Sequence, residues 1–144
     1  MKFPKPKKQK KPSLKSLKKK LDHAFEMYVR VRDNWRCFTC GVCIPDNPTD
    51  MHGGHLISRK QHATRWNEKN CFAQCARCNF RHVWQPHVYT DMYIQKFGAD
   101  EYHNLVTVSH YVFKVNRGSL EELLSIYETK LESLNKPKAS DLFF

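Results

Sequence analysis

Two short cysteine knuckles, Cys37-Phe38-Thr39-Cys40 and Cys75-Ala76-Arg77-Cys78, restrict the possible folds more than any other feature of the chain. Four thiolates around one tetrahedral zinc make a closed structural site, so the spacing predicts a Zn2+ clamp built from Cys37, Cys40, Cys75 and Cys78. The 34 residues between Cys40 and Cys75 exceed the usual gap of a zinc ribbon, and the clamp must therefore hold the two ends of an insert. Cys43 and Cys71 remain over. Cys43 extends the first knuckle to C-x2-C-x2-C and could compete as a ligand, but the symmetric pair of knuckles is the simpler set.

Reading six cysteines as ligands requires a reducing compartment. The N-terminal residues include lysines but no apolar signal segment, and no apolar run approaches the roughly 18 residues of a membrane span. A cytoplasmic protein without membrane contact is expected. Its formal net charge of +11 selects polyanions as partners, nucleic acid first.

The charge is concentrated. Residues 1–20 contain ten lysines, three prolines and no acid, a composition that leaves a basic arm disordered in isolation. Lys7, Lys8, Lys10, Lys11, Lys18, Lys19 and Lys20 either lie along phosphates or simply solubilise the chain. Residues 21–135 form the expected folded domain, and 136–144 a tail. From Leu17 to Asp33 the apolar residues Leu17, Leu21, Phe25, Tyr28 and Val29 fall on one helical face. A short helix is expected from an N-cap at Thr90 to Phe97, stopped by Gly98. The segment 104–115 has mixed periodicity and fits a strand or a buried helical turn. Ser119 and Glu122 read as a capping box opening a last helix, with an apolar stripe at Leu120, Leu124, Tyr127, Leu131 and Leu134. That stripe either covers its own domain or pairs two chains in a homodimer.

Within the insert stands MHGGHLISR, residues 51–59. His55 at the end of a presumed strand suits a general base, because a near-neutral pKa lets imidazole take a proton from water. His52 and Asn79 are candidates to hold a divalent ion, with His82 as a further ligand or a phosphate contact. Arg59 and Arg81 could grip a phosphate bidentately or stand as solvated surface charges. His62, His87, His103 and His110 are read as ordinary histidines, and Trp35, Trp66 and Trp84 as core packing in preference to base stacking.

The order of a C-x2-C knuckle, Gly-His, then WNEKNCFAQCARCN resembles the zinc-clamped HNH, or ββα-metal, nucleases. Closer still, YVRVRDNWRCFTCG, GGHLISR, RWNEKNCFAQCARCN and VYTDMYIQKFG resemble the NinG/Rap family of phage recombination endonucleases, over about residues 28–98. The resemblance implies an α+β fold, a small ββα-metal core with a four-cysteine structural zinc site flanked by helices. It also implies cleavage of branched recombination DNA of the Holliday-junction or D-loop kind in the cytoplasm of a bacterial host, aided by Mg2+ or Mn2+. Asn70, five residues before Cys75, would hold the hairpin against the helix after it. His52 sits where a relative carries Asp, and imidazole there makes Mn2+, Co2+ or Zn2+ more competitive with Mg2+. An HNH nickase or restriction-type enzyme on ordinary duplex, or a non-catalytic zinc module that binds nucleic acid, are the other functions this pattern admits.

Overall fold

In a computed structural model, which describes residues 10–136, the chain is a mixed helical protein with one small sheet. The order is α1 (Leu14–Arg32), β1 (Met51–His55), α2 (His62–Arg65), β2 (Cys71–Cys75), α3 (Ala76–Trp84), α4 (Pro86–Phe97), α5 (Ala99–Ser109) and α6 (Arg117–Asn135). The α+β expectation holds at this level. Lys7, Lys8 and the tail beyond residue 136 lie outside the described residues.

Helix α1 begins at Leu14, earlier than the periodicity alone suggested, because Ser13 supplies an N-cap: its hydroxyl accepts from the Ser16 amide at 3.1 Å. The basic arm is shortened accordingly, and Lys18, Lys19 and Lys20 stand on the helix. The face Leu17, Leu21, Phe25, Tyr28 and Val29 is buried as expected. It packs chiefly against α6, where Leu120 and Tyr127 are buried, and the Phe25 and Tyr127 rings meet edge-on at 4.8 Å. The apolar stripe of α6 thus covers its own domain, although Leu134 at its end stays exposed. The N-cap of α6 is Asn116, three residues before the expected Ser119. Ser119 is instead the N3 residue of the capping box, its hydroxyl accepting from the Asn116 amide. Residue pairs three apart recur here in two registers, and the helix took the earlier one.

Helix α4 likewise starts before Thr90, at Pro86, whose fixed φ and missing N–H suit the first turn. Gly98 ends it with φ +91°, as expected of a residue that adopts positive φ without a Cβ penalty. Residues 104–109 continue α5, which settles the ambiguous segment as helix followed by loop.

The sheet is an antiparallel hairpin in which Met51 pairs with Cys75 and His55 with Cys71. Helix α3 follows β2 directly. The hairpin's glycines are there for close approach: a Cβ on Gly53 would meet the Glu26 side chain of α1 at 2.9 Å, and one on Gly54 would meet Gln74 Oε1 at 2.1 Å. Buried Arg30 of α1 donates its Nε–H to the Met51 carbonyl at 2.8 Å, tying the helix to the start of β1.

The connection between the strands is closed by Asn70, which is fully buried. Its Oδ1 accepts from the Ile57 amide at 2.7 Å, and its Nδ2 donates to the carbonyls of Ile57 and Thr64, each at 3.0 Å. These contacts close the hairpin's own loop and do not reach α3, so the expected bridge from hairpin to helix is replaced by a bridge across the hairpin's neck. Asn70→Ala would strand an amide and two carbonyls, and should destabilise the protein by about 3 kcal/mol. A urea midpoint within experimental error of wild type would show that the neck closes without it.

Candidate active site

The four knuckle cysteines converge. Their Sγ atoms all lie within 4.8 Å of one another, and Cys40 Sγ is 3.7 Å from Cys75 Sγ. A tetrahedron with Zn–S bonds of about 2.3 Å has edges of about 3.8 Å, so this donor set fits zinc with shifts of at most about 1 Å. The Cys40 amide points at Cys37 Sγ at 3.5 Å, and Gly41 turns the chain behind the first knuckle with φ +76°. Burial, and then the neighbouring thiols, push the Cys78 thiol up, so four thiolates this close need a cation among them. Among the described residues this is the one group of three or more His, Cys, Asp or Glu side chains placed to share a metal. Cys43 is not part of it. Its thiol is exposed and points to the Asn34 carbonyl at 3.5 Å, while Cys71 is buried near His55.

An open cleft of about 1000 Å3 crosses the free edge of β1. Glu26 and Arg30 of α1 form one wall, Asn79, His82 and Val83 of α3 the other, and Ser58, Arg59 and Lys60 the rim beyond the strand. Side chains alternate faces along a strand, so His52 and His55, three apart, enter this cleft from opposite sides of β1. His52 faces α3 and His55 faces α1.

On the α3 side His52 Nε2 lies 2.8 Å from the Thr49 carbonyl, which holds the proton on that nitrogen. The Nδ1 lone pair then points to the Asn79 amide, 3.1 Å away. The structure brings these two residues together, as their sequence reading required. His82 is placed differently: its Nε2 is engaged by the Leu56 carbonyl at 3.2 Å, its Nδ1 is buried without a partner, and its ring lies edge-on to Tyr89. With one nitrogen occupied and the other enclosed, His82 is arranged to hold α3 against the end of β1.

On the α1 side His55 Nε2 donates to the Arg65 carbonyl at 2.7 Å, which leaves Nδ1 as the acceptor, facing the buried Cys71 Sγ at 3.9 Å. Burial, with the Arg59 and Arg65 charges adding to it, lowers the His55 pKa from the usual 6.5 to about 4. The imidazole is therefore neutral at physiological pH, and a weaker base than the near-neutral value expected from the sequence. This depression has a stability consequence. Above pH 6.5 the folded and unfolded states bind no proton at His55. As pH falls from 6.5 toward 4 the unfolded chain takes one and the folded chain does not, which costs about 3 kcal/mol by the lower limit. Urea denaturation of wild type and His55→Gln at neutral and mildly acidic pH should show the excess slope only in wild type.

Arg59 is half exposed on the rim and its Nη1 lies 3.2 Å from Glu26 Oε1, so its guanidinium is within the cleft. Arg81 is exposed on α3 but lines a separate small cavity with Thr39 and Gln74, and does not join Arg59. Lys10, Lys11, Lys19 and Lys20 are exposed and Lys18 partly so. Glu26, Asp22 and Arg65 were missed by reasoning along the sequence. Asp22 grips the Arg65 guanidinium at 2.6 Å and 2.9 Å and accepts from Trp66 Nε1 at 2.9 Å, thereby setting the Arg65 carbonyl that orients His55. Their partners lie more than 30 residues away along the chain. The one local signal was Glu26 standing four residues before Arg30 on α1, an ion pair at 3.4 Å.

The family model described as "Bacteriophage Lambda NinG protein" matches residues 2–138. The chain belongs to the NinG family. Membership in NinG suggests a phage recombination-related role, and it covers the cysteine cluster and the whole cleft. Neither a curated protein nor a solved structure matches the chain. Among the described residues no helix is long and apolar enough to cross a membrane.

Proposed function

We propose that this member of the NinG family is a metal-dependent DNA endonuclease with an HNH-like ββα-metal core, hydrolysing phosphodiesters in branched recombination intermediates. The observation that carries the reading is the placement of His55 and the His52–Asn79 pair on opposite sides of the β1 edge, opening into one cleft. A scissile phosphate straddling that edge meets a base on one side and a pair of ligating groups on the other.

In this reading His55 Nδ1 exchanges the Cys71 thiol for a water and takes the proton of that water, whose oxygen attacks phosphorus. The bond from phosphorus to the 3′ oxygen breaks, and that oxygen takes a proton from solvent. Arg65 and Asp22 keep the imidazole in the tautomer that can accept. The Asn79 amide presents Nδ2 to His52 in the assigned orientation, and a half-turn presents Oδ1, making Asn79 and His52 a pair of donors for one cation. A divalent ion such as Mg2+ or Mn2+ held there would stabilise charge on the phosphate and on the leaving oxygen. Arg59 is within reach to steady the same phosphate if it exchanges Glu26 for it. Cys37, Cys40, Cys75 and Cys78 would hold a zinc that fixes β2 and α3 against the first knuckle, a structural role outside the bond changes.

The test is cleavage of a four-way junction, a D-loop, a flap and a linear duplex, each in Mg2+ and in Mn2+. Preferential nicking of the branched forms is expected. Equal cutting of linear duplex would favour an ordinary nickase, and binding without cutting in either metal would favour a non-catalytic zinc module.

A further inference from the structure

Helix α3 has a second face that the cleft does not use. Arg77, Phe80, Arg81 and Trp84 follow at spacings of three, one and three residues, which places them in one stripe along the helix. Phe80 is 66 % and Trp84 73 % exposed, their ring centroids 6.4 Å apart and their planes tilted by 61°. Both arginines are exposed too, and α3 has no acidic residue. The expectation that Trp84 packs in the core is therefore corrected, whereas Trp66 is buried as expected and Trp35 packs partly buried against the cysteine cluster. Val83, 70 % exposed, lies beside this stripe and also lines the cleft with Asn79, so the aromatic face runs on into the candidate active site.

We propose that Phe80 and Trp84, flanked by Arg77 and Arg81, form a stacking platform for unpaired bases of a nucleic acid strand leading to the cleft. Every base has a π-face, and aromatic side chains bind it whatever the sequence, while guanidinium groups follow the phosphates. The positive flanks decide the occupant. In a chain of net charge +11 a cationic aromatic stripe repels a second copy of itself and attracts a polyanion. Paired duplex offers no base face here, so the platform discriminates unpaired from paired DNA. It rests on the nucleic-acid reading above but not on hydrolysis.

The experiment uses the full zinc-loaded chain with oligothymidylate and with a duplex of equal length, binding being read by fluorescence anisotropy. Trp84→Ala and Phe80→Ala should each lose about tenfold in affinity for oligothymidylate and stay near wild type on duplex. Trp84→Phe, which keeps a π-face, should recover most of the loss. Wild-type tryptophan emission should be quenched by oligothymidylate, and Trp84→Ala should lose much of that quenching. Equal weakening on both probes, unchanged affinity, or no wild-type affinity for oligothymidylate would overturn the proposal. So would a wild-type dimer that Trp84→Ala converts to monomer, since the stripe would then be covered by a second copy. A wild type that cuts no DNA, with the Trp84→Ala loss intact, would sink the endonuclease reading alone. Normal cutting with unchanged Trp84→Ala binding would sink the platform alone.

Discussion

His55→Ala is expected to lower the rate of DNA cleavage at least about hundredfold, the usual contribution of a positioned general base, while DNA affinity stays near wild type. The separation follows from where the ring sits. His55 is largely enclosed between α1 and the loop after β1, with Nε2 committed to the Arg65 carbonyl, so it offers phosphate little ground-state contact. Its lone pair at Nδ1 matters when a water loses its proton. Single-turnover cleavage of labelled junction, paired with anisotropy binding in the same buffer, reads the two effects apart. A variant that cleaves within about tenfold of wild type would remove His55 from the chemistry. Asp22→Asn provides a graded companion, because it weakens the clamp on Arg65 and leaves the imidazole in place. It should cost less than His55→Ala and should not alter binding.

Loss of the zinc should have a still broader effect. One zinc per chain is expected by metal analysis, and Cys78→Ser should abolish it together with cooperative unfolding, because structural zinc in small domains contributes on the order of 10 kcal/mol. Cys37, Cys75 and Cys78 are buried and form a small core with Met51 and Ala73, which leaves few apolar contacts to hold this end of the molecule without a cation. Cys43→Ser, outside the cluster, should keep the zinc and the melting transition. Should Cys78→Ser melt like wild type, or Cys43→Ser lose the metal, the ligand set assigned here would be wrong.

The parts of this molecule that were legible in the sequence are those whose causes are local. Two cysteines separated by two residues can grip one metal only in a knuckle, and the apolar stripe of α1 needs nothing but the helical repeat. The joining of His52 to Asn79 was legible because a knuckle after β2 brings the first turn of α3 back to the hairpin. Helix starts were less so: Ser119 and Thr90 are both capable caps, and what decided against them was an earlier Asn116 and an earlier Pro86. The clamp on His55 was illegible, since Asp22 and Arg65 meet only after α1 has docked on the hairpin. Trp84 failed for another reason. Large aromatic residues usually go inside, and no local pattern marks the one that a fold leaves on its surface.

Asn70 closes the hairpin's neck by holding Ile57 on one side and Thr64 on the other, so residues 58–61 leave and re-enter a fixed frame. All four are exposed, and Ser58 and Gln61 close a turn of their own through a 2.9 Å backbone bond. The side chains of this rim, which includes Arg59 and Lys60, can therefore change, but its length is tied to the support of His55: the Arg59 carbonyl accepts from Arg65 Nη1 at 2.9 Å, and Gln61 is the N-cap residue of the helix that carries Arg65. For protein engineering this sets the rule: a library of fixed length at Ser58, Arg59 and Lys60 would vary what the cleft grips and keep the backbone carbonyl on which Arg65 leans.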